Sequence, residues 1–243
     1  MRKQLALALC LLIVTSCVVN TEENNTMERI TFQTEDGVTI VGNYWHGSST
    51  GVLLLHMMPA TKESWDDFAS ALHHSGMSVL AIDLRGHGES TKHDGRTLDS
   101  ETFTDQQHQA SIYDVESAAA YLKERGITTL FLAGASIGAN LALQYQSEHP
   151  EIKKVILFSP GVNYRGILTE PLAERLQESQ EVLLVAGALD GRAAGRADLM
   201  AQQIASHVQG RHELKIYQSA SHGTDLFRDD PQLITLLARW LQA

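Results

Sequence analysis

Short apolar runs alternate with amphipathic segments through most of the chain, and this alternation restricts the possible folds more than any other feature. The runs are rich in Leu, Ile and Val and lack the strict apolar–polar alternation of a half-exposed strand. Such runs are typical of strands that are buried on both faces of a parallel sheet. The predicted strands of this kind are 51–56, 77–83, 128–133, 154–158 and 181–186.

The segments between these strands have helical periodicity. Residues 108–125 place Ile112, Val115, Ala119 and Leu122 on one face, which predicts a single amphipathic helix. We also expect helices over 62–75, 137–148, 172–178, 196–208 and 231–241, and a last strand over 213–217.

The chain before the first buried run predicts an antiparallel hairpin. Two strand-like segments, 28–34 and 38–44, flank Asp36-Gly37, which is a strong turn signal. A hairpin followed by strand–helix alternation predicts an α/β domain with a mostly parallel sheet and helices on both faces. In such a sheet, functional groups lie in the loops at the carboxyl ends of the strands.

One of these loops contains a nucleophile motif. Gly134-Ala135-Ser136-Ile137-Gly138 follows a predicted strand and begins a predicted helix, so Ser136 is expected at a tight strand-to-helix turn. The glycines allow the strand and the helix to approach each other, and the helix amides point toward the place where negative charge would develop.

A serine nucleophile needs a base and a group that orients the base. Asp190 follows the strand over 181–186, and His222 follows the strand over 213–217. The order Ser136, Asp190, His222 is the order of the Ser-Asp-His triads of α/β hydrolases. We therefore predict that Ser136 is the nucleophile, His222 the base and Asp190 the orienting acid.

From about Arg29 to the carboxyl terminus, the chain resembles the α/β-hydrolase superfamily. The resemblance includes the Ser136 motif, the segment Asp83–Ser90 (DLRGHGES) and the early strands over 31–45. It is nearest to small esterases and to lysophospholipase-like or acyl-peptidase-like members. The resemblance implies the α/β-hydrolase fold and the triad, but it does not fix the substrate.

The resemblance also implies an oxyanion hole, with one departure from the family pattern. Family members often have His-Gly after the third strand, whereas this chain has His56-Met57-Met58-Pro59. Alignment with the family motif implies that the backbone amides of Met58 and Ile137 are the two donors, with Met57 as the alternative to Met58. The segment where family lids usually occur is short, which implies a small cap, an open cleft and modest substrates.

The first residues are typical of an export signal. Arg2 and Lys3 precede an apolar run that is too short to span a bilayer. Val14-Thr15-Ser16-Cys17 resembles the lipobox of bacterial lipoproteins, in which the cysteine is lipidated; an ordinary signal peptide is the alternative. We expect a signal peptide over 1–16, a tether over 17–28 and a hydrolase domain over 29–243, anchored by lipid in the bacterial cell envelope.

Composition and motifs argue against several other classes of protein function. The net charge of -10 disfavours nucleic-acid binding. The His spacings do not match a zinc motif, and nucleotide-binding motifs are missing, so we expect no metal and no cofactor. The expected function is hydrolysis of a small ester or related acyl substrate. The same triad would serve a peptidase, a thioesterase or an acyltransferase, and a non-catalytic envelope-binding lipoprotein is the other alternative.

Overall fold

The computed structural model describes residues 27–192 and 195–243. The expected signal peptide, Cys17 and most of the tether lie outside the described residues. The strands are β1 (Met27–Gln33), β2 (Val38–Trp45), β3 (Thr50–Leu55), β4 (Ser78–Ile82), β5 (Lys92–His93), β6 (Arg96–Thr97), β7 (Thr129–Ala135), β8 (Lys154–Phe158), β9 (Asn163–Tyr164), β10 (Ile167–Leu168), β11 (Glu181–Gly187) and β12 (His212–Tyr217). The helices are α1 (Asp66–His74), α2 (Asp105–Gln109), α3 (Ile112–Glu124), α4 (Ile137–Glu148), α5 (Thr169–Glu174), α6 (Ala197–Ala205), α7 (Leu226–Asp229) and α8 (Gln232–Gln242).

One large sheet organises the domain and confirms the predicted fold class. Its strand order is β12-β11-β8-β7-β3-β4-β2-β5-β6, with β1 paired to β2. The strands from β12 to β4 are parallel, and β2 is antiparallel to both β1 and β4. The Asp36-Gly37 turn joins β1 and β2 as predicted, and Gly37 has a φ of 87°.

The central strands are buried on both faces because helices cover both sides of the sheet. Alternate residues along each strand enter two separate apolar cores. In β3, Leu53 and Leu55 pack with α3 and α4, whereas Val52 and Leu54 pack with α1 and α8. All four side chains are fully buried, which explains why these strands are continuous apolar runs.

Two predicted helices differ from the observed ones. The single helix predicted over 108–125 is two helices, α2 and α3, separated at Ala110 and Ser111. A capping box between Thr104 and Gln107 starts α2 before the predicted boundary. The helix predicted over 172–178 is α5, which begins and ends earlier. Within the described residues, no helix is long and apolar enough to cross a membrane.

Candidate active site

Ser136 occupies a strained turn between β7 and α4. Its φ of 54° and ψ of -118° lie outside the regions that most residues adopt, as expected for a nucleophile on a sharp strand-to-helix turn. A Cβ atom at Gly134 would lie 2.1 Å from the Gly138 carbonyl oxygen, and one at Gly138 would lie 2.4 Å from the Leu55 carbonyl oxygen. Both glycines are therefore required by close backbone approach, as predicted. The Ser136 amide donates to the Phe158 carbonyl oxygen at 2.8 Å, which ties the turn to β8.

Asp190 and His222 form a buried pair. Their Oδ2 and Nδ1 atoms are 2.6 Å apart, and the two side chains are 0% and 6% exposed. Burial by itself would raise the pKa of Asp190, but the hydrogen bonds from His222 and from the Arg192 amide lower it below the ordinary value. The carboxylate therefore stays ionised at neutral pH and fixes the proton of His222 on Nδ1, which leaves Nε2 as the basic nitrogen.

The His222 loop lies directly against the Ser136 turn. Gly223 has a φ of 58°, and a Cβ atom there would lie 3.2 Å from Ala135 Cβ and 2.6 Å from Met57 Sδ. Only a residue without a side chain allows this approach. The structure thus brings the loops that carry Ser136, His222 and Met57 together at the carboxyl edge of the sheet.

His56 has a structural role in the loop that follows β3. Its Nε2 accepts a hydrogen bond from the Leu84 amide at 2.9 Å, so Nδ1 carries the proton and donates to the Met57 carbonyl oxygen at 2.8 Å. Burial lowers the pKa of His56 to about 4, and the nearby His87 adds to this effect. Both nitrogens of the neutral ring are therefore used in holding the loop.

The Asp83–Ser90 motif also has a structural role. The fully buried Asp83 carboxylate accepts hydrogen bonds from the Lys62 amide and Nζ, each at 2.8 Å, and from the Glu89 amide at 2.9 Å. A Cβ atom at Gly88 would lie 2.3 Å from Asp83 Oδ2, so a glycine is needed where the loop wraps around the carboxylate. This cluster holds the β3 and β4 loops beside the site.

The sequence analysis missed two residues at this edge. Ser159 directly follows β8, has a φ of 44° and accepts a hydrogen bond from the Gly223 amide at 3.0 Å. Its position directly after a predicted strand could have identified Ser159 as a candidate site residue from the sequence. Tyr164 lies in the β9–β10 hairpin, and its hydroxyl donates to the Ser159 carbonyl oxygen at 3.4 Å. The sequence around Tyr164 did not identify it as a candidate site residue, because its contact depends on how the β9–β10 hairpin folds over the end of β8.

The segment between β8 and β11, where a small cap was expected, contains the β9–β10 hairpin and α5. Helix α5 packs against α4 and α6, and its Leu172 and Ala173 are part of the main apolar core. Across the described ranges 27–192 and 195–243, no group of three or more His, Cys, Asp or Glu side chains could hold a metal ion.

Comparisons with known proteins agree with this architecture. The family model described as serine aminopeptidase, S33, matches residues 48–232. The thermostable monoacylglycerol lipase of Bacillus sp. (strain H-257) is 31% identical over 124 residues, which are 51% of this chain and 46% of that protein. The bifunctional esterase/perhydrolase of Acinetobacter calcoaceticus is 30% identical over 130 residues, which are 52% of this chain and 42% of that protein. The matched region thus spans less than half the length of these curated relatives.

Solved structures show a similar fold over nearly the whole described chain. An esterase from Pyrococcus furiosus superposes with a TM-score of 0.73 at 19% identity, covering 90% of this chain and 93% of that one. An esterase from Exiguobacterium antarcticum superposes with a TM-score of 0.69 at 15% identity, covering 89% and 100%. At these levels of sequence identity, the structural similarity shows a shared fold and nothing further.

Proposed function

The chain belongs to the serine aminopeptidase S33 family of α/β hydrolases, and we propose that it is a serine hydrolase that cleaves carboxylic esters. The observation that carries the proposal is the buried Asp190–His222 pair, placed against the strained Ser136 turn. Ester cleavage is favoured over other acyl bonds because the printed names of the relatives include a monoacylglycerol lipase and an esterase/perhydrolase.

The proposed reaction has two steps through an acyl-enzyme. Ser136 Oγ attacks the ester carbonyl carbon while His222 Nε2 accepts the hydroxyl proton. The tetrahedral intermediate collapses when the bond to the leaving oxygen breaks and His222 gives its proton to that oxygen. Water then attacks the acyl-enzyme by the same route and releases the acid and free Ser136. Asp190 remains ionised and stabilises the His222 imidazolium throughout.

The proposed oxyanion donors are the amides of Ile137 and Met58. Ile137 is the first residue of α4, so its amide is among those that have no partner within the helix. The hydrogen bond from His56 holds the Met57 carbonyl oxygen. Since the carbonyl and amide of a trans peptide point in opposite directions, the Met58 amide faces away from His56. This favours Met58 over Met57 as the donor.

A substrate panel tests the proposed function. The purified domain is incubated with p-nitrophenyl esters of increasing acyl length, amino-acid p-nitroanilides and thioesters of the same acyl groups. We expect ester turnover to exceed amide turnover, and short acyl chains to be preferred because the segment between β8 and β11, where family lids usually occur, is short. We also expect a fluorophosphonate probe to label Ser136. Preferential cleavage of the anilides would support a peptidase instead, and a lack of both turnover and labelling would support a non-catalytic protein.

We further propose that the protein is exported and anchored in the bacterial envelope by lipid on Cys17. The support is the apolar run and the lipobox-like Val14-Thr15-Ser16-Cys17 in the sequence. Expressed in a bacterium with labelled fatty acid, wild type should incorporate label and fractionate with membranes. Cys17→Ser should lose the label and accumulate as a precursor. Cys10→Ser is the matched control, since Cys10 lies inside the apolar run, and it should behave as wild type. Equal labelling of Cys17→Ser would exclude the anchor.

A further inference from the structure

The end of β8 binds both the nucleophile turn and the loop of the base. The Phe158 carbonyl oxygen accepts a hydrogen bond from the Ser136 amide at 2.8 Å. The next residue, Ser159, accepts a hydrogen bond through its Oγ from the Gly223 amide at 3.0 Å. Gly223 directly follows His222. Two consecutive residues therefore bind the backbone at the proposed nucleophile and the backbone beside the proposed base.

The Gly223 amide needs an acceptor outside its own segment. Gly223 begins a short 3₁₀ helix, Gly223–Asp225, and the first amides of a helix have no acceptor within it. Because Gly223 is buried, an unpaired amide there would cost as much as a lost hydrogen bond. The fully buried Ser159 supplies the acceptor. The Asp225 amide donates to the His222 carbonyl oxygen at 3.1 Å, so the peptide unit between His222 and Gly223 is held at both of its polar atoms.

Ser159 is itself held by the elements around it. Its φ of 44° is unfavourable for a residue with a side chain and persists only where the surroundings fix it. Its amide donates to the Val185 carbonyl oxygen of β11 at 2.8 Å, and its carbonyl oxygen accepts from the Tyr164 hydroxyl at 3.4 Å. The hairpin that carries Tyr164 is tied to α4, because the Asn140 side chain donates to the Ile167 carbonyl oxygen at 3.0 Å. The Ser159 hydroxyl is therefore presented from a fixed backbone.

Packing also holds the His222 loop, but it acts differently from the hydrogen bond. Gly223 lies close to Ala135 and Met57, and these contacts limit how near the loop comes to the Ser136 turn. Dispersion contacts are individually weak, whereas a hydrogen bond weakens steeply when its angle departs from the preferred range. The hydrogen bond to Ser159 therefore fixes the rotation of the peptide unit beside His222, and with it the direction of the imidazole.

We propose that Ser159 is a positioning residue of the active site, whose hydroxyl acts through the Gly223 amide to hold the His222 imidazole toward Ser136. This role rests on the proposed function, since the position of a base matters only in an enzyme that uses one. His222 must accept the Ser136 hydroxyl proton within hydrogen-bond distance, and a small displacement of a reacting group lowers the rate strongly. Phe158 and Ser159 set this distance together because they are consecutive residues.

Ser159→Ala tests this role, because it removes the acceptor of the Gly223 amide. We measure kcat and KM for p-nitrophenyl butyrate, and the rate constant with which a fluorophosphonate probe labels Ser136. Both kcat and the labelling rate constant should fall about tenfold, because both reactions need a correctly placed base. KM should stay within about twofold of wild type, since the change affects the proton transfer and not the binding of the ester.

A second buried serine provides the matched control. Ser78 is 1% exposed, lies at the start of β4, and its Oγ accepts a hydrogen bond from the Gly47 amide at 2.9 Å. Ser78→Ala thus removes the same kind of hydrogen bond at the edge of the sheet opposite Ser136. It should lower the free energy of unfolding and leave kcat, KM and labelling at the wild-type values.

Ser159→Gly is a second variant for the case that the alanine variant does not fold. Glycine adopts the φ of 44° without strain, so the backbone of the turn is favoured while the hydroxyl is absent. The glycine variant should show the same losses in kcat and labelling as the alanine variant. Thermal unfolding of each variant confirms that the rates belong to folded protein.

The His222→Ala background separates positioning of the base from general support of the fold. Without an imidazole to position, adding Ser159→Ala should change the labelling rate constant by less than about twofold. A tenfold loss in both backgrounds would show that Ser159 acts on the Ser136 turn or on stability, and would overturn the proposed role. No loss in Ser159→Ala would show that packing against Ala135 and Met57 is sufficient. A higher KM at unchanged kcat would indicate a contact with substrate instead.

Labelling also distinguishes a failure of this role from a failure of the proposed ester hydrolysis. If wild type were labelled at Ser136 but hydrolysed no ester, the proposed reaction would be wrong, and the labelling rate constants of the variants would still decide the role of Ser159. A wild-type protein that shows neither labelling nor hydrolysis would overturn both proposals.

Discussion

Ser136→Ala is expected to abolish ester hydrolysis, with a loss of at least about 10³-fold in turnover. The substitution removes the only atom proposed to attack the carbonyl, while the Asp190–His222 pair stays in place. The fold should be retained, because alanine has the smallest side chain that keeps a Cβ atom and must adopt the same φ of 54° that serine adopts. Turnover and fluorophosphonate labelling of purified protein measure the effect.

A serine on the helix that follows Ser136 provides the control. Ser147 lies near the end of α4, and its hydroxyl bonds only the Gln144 carbonyl oxygen. Ser147→Ala should keep turnover and labelling at the wild-type level. Activity of Ser136→Ala within tenfold of wild type would remove Ser136 from the proposed mechanism.

Asp190→Asn is expected to lower turnover on the order of 10²-fold or more. An asparagine keeps the shape of the side chain but loses the charge that stabilises the His222 imidazolium. It can also donate to Nδ1, which would place the imidazole proton on Nε2, where the base must be free. His222→Ala should cause a comparable loss. The double variant should lose little beyond either single variant, because the two residues act as one unit.

The alternative is that Asp190 only stabilises the turn through the Arg192 amide, which donates to Oδ1 at 3.1 Å. In that case Asp190→Asn would lower the free energy of unfolding but leave turnover per folded molecule near wild type. The two single losses would then multiply in the double variant. Asp198→Asn is the matched control, since Asp198 is also buried but pairs with Arg196 at 2.6 Å instead of a histidine. It should affect stability without affecting turnover.

The sequence was informative wherever a local pattern determined the structure. The buried strands were predictable because burial on both faces excludes polar side chains from β3 and β11 beyond their first residues, Thr50 and Glu181. The Ser136 turn was predictable because Gly134 and Gly138 are required by contacts within a few residues and with the adjoining β3 strand. The pairing of Asp190 with His222 followed from two strand ends that a parallel sheet brings to one edge.

The parts that were not predicted depend on contacts between distant segments. Tyr164 reaches the Ser159 carbonyl oxygen only because Asn140 and Gln109 hold a short hairpin in place. The Asp83–Ser90 motif was identified by resemblance, but its role around a buried carboxylate needed the positions of Lys62 and Glu89. The break between α2 and α3 was missed because the apolar spacing continues across Ala110 and Ser111.

The direction of β1 determines the edge of the sheet at which the chain enters the domain. Met27 pairs with Trp45 and Trp45 with Val79, which places Met27 level with Phe131 of β7. Ser136 lies further along the same direction by about 17 Å, from the rise of a strand. The chain therefore enters the domain at the edge opposite the catalytic one. The lipid on Cys17 that we propose would thus be joined to the domain at the edge away from Ser136, which leaves the catalytic edge unobstructed by the point of attachment.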